Sequence, residues 1–292
     1  MKKKADEITI NKVIRRLKNM PSIPTVITKV SEILDDPRSC AADFGRVISG
    51  DQALTAKLLR LVNSAFYGFP GKIDTVSRAV TIIGFRPLRE LVLGTSILNM
   101  FKGLGDNAPL GVQDFWKHSM VCGIASRVFG IYKREEVPER FFVAGLLHDI
   151  GRMALLESCP EQYNEVFAIV KEESCLVTEA ETAVFGFTHA EVGKKLLLHW
   201  QLPSSLANAV GFHHDAERPG RSSSLADVIH VADIITHASS LGASGEQFIP
   251  PLNPHAWGRL GLKMSILEPA MEKIYEQFES IADFMLVEKQ ED

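Results

Sequence analysis

Apolar residues recur at spacings of three and four along almost the whole chain, and the two-residue alternation of a half-buried strand is scarce. In ADFGRVISGDQALTAKLLRLVNSAF the apolar positions are Phe44, Val47 and Ile48, then Leu54, Leu58, Leu61 and Val62. That spacing predicts two helices, the second opened by Asp51 as its N-cap. SRAVTIIGFRPLRELVLGTSILNMF supplies Ala79, Val80, Ile83, Leu88, Leu91 and Val92, and predicts two more pieces parted around Gly84 and Pro87. The stretch least like a helix is the loop from Tyr67 to Asp74. The fold class predicted is all-α.

Two breaks divide the pattern. KGLGDNAPLGVQ (Lys102 to Gln113) is rich in Gly and short polar residues, and SSLGASGEQFIPPLNPH carries the tandem Pro250 and Pro251. The expected organisation is an N-terminal helical subdomain over residues 1–112, a second helical subdomain over 113–245 and a C-terminal helical tail over 246–292. In the tail, Ile266, Met271, Ile274, Phe278 and Ile281 keep helical spacing and suit packing back on the body.

With 292 residues the chain has enough length for an ample core. No apolar run approaches the roughly 20 residues that span a bilayer, and MKKKADEITI lacks the apolar stretch of a secretory signal. A cytoplasmic protein without a membrane partner is expected. The net charge of −4 argues against a general nucleic-acid binder. The basic cluster near the start (Lys2, Lys3, Lys4, Arg15, Arg16, Lys18) reads as a solvated helix face. Cys40, Cys122, Cys159 and Cys175 form no CxxC pair, which suits free thiols in a reducing compartment.

The chemistry lies in the second segment. In AGLLHDIGRM, His148 and Asp149 end an apolar helix and offer an imidazole and a carboxylate to one point in space, a pairing suited to a divalent metal. Asp114 and His118 are four apart and stack on one helix face. Thr188 and Glu191 form a capping box that leaves His189 in a first helical turn. His213 and His214 are adjacent, and Asp233 sits on a helix whose apolar residues are Val228, Ile229, Ala232 and Ile235. Such a mixed set suits iron, manganese, zinc or nickel rather than the all-oxygen shells of magnesium and calcium. These side chains exceed the needs of one ion. A two-metal site bridged by Asp149 would use most of them and could clamp a phosphoryl oxygen. Of the remaining histidines, His199 reads as a core or boundary position, His255 lies in the Pro-rich connection, and His230 and His237 could share Asp233's helix face at three and four residues but read as structural.

MPSIPTVITKVSEILDDP and LRLVNSAFYGFPGKIDTVSRAVTIIGFRPLRELVL resemble the HDOD family, the HD-related output domains of bacterial signalling proteins. With FWKHS, LLHDIG, HAEVG, LP and HH, the resemblance runs from about Leu17 to about Leu241. It implies an HD-like helical subdomain preceded by a smaller helical bundle, within the superfamily of HD metal-dependent phosphohydrolases. The ligand set is similar to that of the HD-GYP cyclic di-guanylate phosphodiesterases at His118, His148, Asp149, His189, His213, His214 and Asp233, with Asp114 where those enzymes carry Glu. Arg152 stands for the lysine after HDIG and could still grip a phosphate. DAERPGR replaces their Gly-Tyr-Pro loop. Two functions follow from the resemblance. One is a signal-transduction module with a retained metal site, acting on a signalling protein partner or a small nucleotide ligand. The other is a di-metal phosphohydrolase acting on a nucleotide or phosphodiester, with Asp149 and Arg152 as its catalytic residues. One or two divalent ions, iron or manganese, are expected.

Overall fold

The computed structural model describes residues 8–17, 24–100, 111–215 and 224–286, and no strand occurs among them. The first helices are α1 (Ile10–Arg16), α2 (Thr25–Asp35), α3 (Ala41–Ile48), α4 (Gln52–Val62), α5 (Val76–Ile83) and α6 (Phe85–Met100). Asp51 caps α4 by accepting the Leu54 N–H at 2.9 Å, and Gly84, at φ 98°, ends α5 in a backbone conformation side chains disfavour. Pro87 falls within the first turn of α6, where its missing N–H costs nothing. The Tyr67–Asp74 stretch lies outside the helices. Most of the Lys102–Gln113 break (residues 102–110), together with Lys2, Lys3, Lys4 and Lys18, lies outside the described residues.

The second group comprises α7 (Val112–Tyr132), α8 (Glu139–Leu147), α9 (Ile150–Ser158), α10 (Pro160–Glu173), α11 (Val177–Phe185), α12 (His189–His199), α13 (Ser204–Phe212) and α14 (Ser224–Ser239). Helix α7 is buried along nearly its whole length, from Phe115 to Gly130, and runs through the core between α8, α14 and the C-terminal α16 (Leu267–Leu286). A short α15 (Pro254–Leu260) packs on α14. Helix α16 touches both α7 and α4, so the tail does fold back on the body. Helix α1 packs on α9 and α12, with Ser158 Oγ donating to the Val13 carbonyl at 3.2 Å.

Two glycines set how closely the central helices cross. A Cβ on Gly145 would fall 2.6 Å from the Cys122 carbonyl oxygen, and one on Gly123 would fall 2.8 Å from that of Phe142. Only bare backbone permits the α7–α8 approach. That approach brings His118 of α7 beside the end of α8. At the other end of α8, a buried network holds the Ser64–Gly68 segment to this core. The Arg127 guanidinium donates to the Phe66 carbonyl at 2.8 Å and stacks 3.9 Å over the Phe66 ring. Tyr67 Oη and Arg127 both donate to Glu139 Oε1, at 2.9 and 3.4 Å.

Candidate metal centre

The α8–α9 junction places His148 and Asp149 at the heart of the molecule, where both are buried. Around them stand His118 from α7, His189 from the first turn of α12, His213 and His214 at the end of α13, and Asp233 from α14. The ligand atoms form two adjacent groups: Asp149, His189, His213 and His214 in one, and His118, His148 and Asp233 in the other. Within each, all candidate ligand atoms lie within 4.8 Å of one another. Seven of the eight metal ligands expected from the sequence are therefore brought together.

Asp114 is the exception. Its side chain is 55% exposed and pairs with Lys117 Nζ at 3.0 Å, although it lies one turn from His118. Its backbone carbonyl accepts the Ala243 N–H at 3.0 Å, and Gly242 packs on the backbone of this first turn so tightly that a Cβ would be 2.9 Å from Lys117 Cβ. The connection between α14 and α15 (residues 240–253) thus lies over the start of α7, and the Asp114 carboxylate is turned to solvent. His237, whose spacing lets it share Asp233's helix face but which the family resemblance does not mark as a ligand, comes within 3.3 Å of Asp233 Oδ1 and 4.6 Å, ring to ring, of His118. His230 remains structural: it accepts the Asn253 N–H at 3.0 Å and its Nδ1 reaches the His213 carbonyl. His199 and His255 are exposed.

The histidines are held by their outer nitrogens. His148 Nδ1 donates to the Gly145 carbonyl at 2.7 Å, and His213 Nδ1 to that of Val210 at 2.6 Å. His189 Nδ1 meets Glu181 Oε2 at 2.7 Å. Anchoring at Nδ1 fixes the tautomer and aims a bare Nε2 lone pair inward, the usual supporting shell of a metal-bound imidazole. Several of the inward atoms make no hydrogen bond. His148 Nε2, His213 Nε2 and both Asp149 oxygens are buried without a hydrogen bond, while His148 Nε2 lies 3.4 Å from Asp149 Oδ2 and from Asp233 Oδ1. His189 Nε2 faces Asp149 Oδ1 at 2.9 Å and His214 Nε2 at 3.1 Å. Lone pairs converging on buried carboxylates are well served by a cation between them. The donor set fits a divalent metal in each group.

The electrostatics divide the centre: although burial pushes them down, the carboxylates beside them hold His148 and His189 above the usual imidazole range. Burial pushes the Asp149 and Asp233 carboxyls up, but Arg152 and the histidines around Asp149, and His118, His148 and His237 around Asp233, outweigh it and hold both well below the usual carboxylate range. Burial and the neighbouring imidazoles push His213 down to about 3 and His214 well down, so both are neutral and able to ligate. Arg152, expected from the sequence to steady a phosphate, is fully buried. It sits 3.1 Å from Asp149 Oδ2 and donates to the Ser244 carbonyl at 2.7 Å.

Glu181 carries no sequence signal, yet it is completely buried and also accepts the His189 N–H and the Tyr163 hydroxyl, each at 2.8 Å. Of the seven ligand candidates brought together, His214 alone is partly exposed. It lines a groove of about 1110 Å³ with Thr178, Thr188, Lys194, Phe212 and Asp215 among its walls, and Lys194 Nζ lies 4.2 Å over the Phe212 ring. No helix among the described residues is long and apolar enough to cross a membrane.

These features define an all-helical protein built around a buried His/Asp centre. The chain belongs to the HDOD domain family, whose pattern matches residues 20–216. A solved HDOD domain protein of unknown function from Geobacter sulfurreducens is 24% identical and superposes with a TM-score of 0.78, covering 95% of this chain and 98% of that one. A proposed phosphohydrolase from Shewanella amazonensis SB2B gives 20% identity and 0.73, over 94% and 98%. A proposed signal transduction protein from Marinobacter aquaeolei VT8 gives 18% and 0.71, over 94% of this chain and 64% of that one. At these identities the likeness is one of fold. An uncharacterised protein of Treponema pallidum (strain Nichols) is 26% identical over 203 residues, 68% of this chain but 38% of that protein's length.

Proposed function

We propose that this chain is a regulatory module of signal transduction that keeps a working divalent-metal centre, the metal serving as a sensed or structural element. One observation carries this reading: the ligand set is nearly complete, but it is enclosed. His118, His148, Asp149, His189, His213 and Asp233 are each no more than 3% exposed, and the 240–253 connection ties Arg152 and His237 into the interior through Ser244. A hydrolytic metal needs a coordination position that substrate can reach, whereas a closed site suits a structural or sensing ion. The HDOD assignment and the fold shared with a proposed signal transduction protein support the same reading. The expected partner is a signalling protein or a small nucleotide.

A phosphohydrolase is the second reading, favoured by the groove that His214 helps to line. A nucleotide or phosphodiester lying there would approach the centre along its one exposed edge, and two ions would stabilise charge developing on phosphorus. The experiment is metal analysis by mass spectrometry on protein purified without chelators, followed by assays of the loaded protein on phosphomonoesters, nucleotides and cyclic dinucleotides. Bound iron or manganese, roughly two equivalents, with no turnover supports the regulatory module. Turnover that is lost in His148→Ala/Asp149→Ala makes the chain an enzyme, and failure to take up any metal overturns both readings.

A further inference from the structure

We propose that residues 240–253 form a strap that carries the occupancy of the metal centre to the surface, through Arg152 and His237, each of which links an aspartate of the centre to Ser244. The inference rests on the metal-centre reading and deepens it by naming the element that responds. Ser244 is fully buried, and two side chains from the centre meet there. Arg152 Nε lies 3.1 Å from Asp149 Oδ2, while its Nη1 donates to the Ser244 carbonyl at 2.7 Å and lies 3.5 Å from Ser244 Oγ. His237 Nε2 stands between Asp233 Oδ1, at 3.3 Å, and Ser244 Oγ, at 3.5 Å. Asp149 and Asp233 belong to different ligand groups. Both groups are thus joined, by one side chain each, to the same strap residue.

The two links respond to a cation for an elementary reason. A dication on Asp149 repels the Arg152 guanidinium. The acceptors left to Arg152 are the Ser244 carbonyl and the carboxylates of Glu181 and Glu246, whose charges also act on it. Glu246 belongs to the strap, where its Oε2 accepts the Val177 N–H at 2.9 Å. A cation on Asp233 takes up the charge that draws His237, and one imidazole N–H serves one acceptor well, so Nε2 turns to Ser244 Oγ. Loading therefore moves both donors from the aspartates to the strap and tightens it. Ser240, Gly242 and Gly245 hold positive φ of 57°, 81° and 91°, which puts pivots on both sides of Ser244. Farther along the strap, Phe248, Ile249 and Leu252 are exposed, so a shift at Ser244 is carried to the surface.

Hydrogen exchange read by mass spectrometry separates a responding strap from a passive cover. Stripped wild type would be compared with protein loaded with manganese(II), and with zinc(II) in parallel. Residues 240–253 are followed against α3, which packs on α2, α4 and α5. Coupling between two sites amounts to about 5- to 150-fold, so exchange in the strap is expected to slow about 5-fold or more beyond any slowing in α3. Ser244→Ala removes the hydroxyl link and Arg152→Met the guanidinium link. Each is expected to lose part of the slowing while metal is still bound, and the double variant all of it. A passive cover would loosen equally with and without metal and keep the ratio of the two rates. Metal uptake by wild type without slowing of the strap overturns the inference and leaves the metal centre standing. Undiminished slowing in Ser244→Ala and in the double variant does the same. If the Arg152 variants do not fold, wild type and Ser244→Ala decide the question. Uptake of neither metal overturns the centre as well.

Discussion

The α-carbon of Gly151 rests against the backbone carbonyl of His189. A methyl group there would overlap that oxygen and lie 2.8 Å from the Gly193 N–H. This contact is where α9 meets α12. It sets Asp149, two residues before Gly151, at 2.9 Å from His189 Nε2.

Gly151→Ala is therefore expected to pry α9 from α12 and separate the two ligands. Overpacking of this kind costs about 1–3 kcal/mol, more where only backbone can yield, and here the opposing atoms are backbone. Chemical denaturation should show the loss, and metal uptake should fall with it. Gly258→Ala on α15 is the matched control, because no atom lies within 4 Å of the added methyl. It should change stability little or slightly improve it. Equal behaviour of the two variants would disprove the role given to the Gly151 contact.

Glu181 holds His189 without touching the inner face of the centre. Its carboxylate is kept below the usual range because His189 and Arg152 outweigh the effect of burial. Glu181→Gln keeps the shape but removes the charge that raises the basicity of the imidazole. Metal affinity should fall about 10- to 100-fold, read by chelator competition, with stoichiometry retained. Tyr163→Phe removes one hydrogen bond to the same carboxylate and should cost only about 1 kcal/mol of stability. If Glu181→Gln left affinity unchanged, His189 would not need its support to bind metal.

Local chemistry made much of this molecule legible in the sequence. Helical periodicity, the Asp51 cap and the Gly84 break depend on residues within one or two turns, and the structure has each in place. The His148-Asp149 pair and the capped His189 were readable for the same reason. What stayed hidden depends on how distant segments meet. Glu179 and Glu181 look alike in VTEAETAVF, yet Glu179 caps its own helix by accepting the Leu176 N–H, while Glu181 lies beneath His189. His230 and His237 flank Asp233 at minus three and plus four. Contacts with the distant His213 carbonyl and Asn253 N–H make the first structural, while the second faces the centre. Residues 240–253 also cross the backbone of Asp114, whose carboxylate faces solvent and Lys117 although helix spacing alone put it beside His118.

Arg127 and Glu139 form a buried pair that fastens the Ser64–Gly68 segment to α7 and α8. Both side chains are about 5% exposed or less, so removing one partner strands the other. Arg127→Ala is expected to cost about 3–5 kcal/mol, partly because Phe66 loses both its carbonyl donor and the cation over its ring. The double variant Arg127→Met/Glu139→Leu removes both charges and should recover a large part of the loss. Thermal unfolding of the singles and the double gives the coupling directly. Additive losses would show that the two charges are not coupled in the folded protein.

Removing the metal should be felt by the whole fold, because its candidate ligands join α7, α8, α12, α13 and α14 at one point. An ion that binds only the folded state adds RT ln(1 + [L]/Kd), about 2.7 kcal/mol at a hundredfold excess over Kd. For a chain of this size each kcal/mol moves the melting temperature by about 2–4 °C, so a chelator should lower it by roughly 5–10 °C. Returning the ion should restore it. His148→Ala/Asp149→Ala lacks the central residues of both groups and should melt at the same temperature with or without chelator. A wild-type protein equally indifferent to chelator and to added metal would mean that protons, rather than metal ions, balance these buried carboxylates.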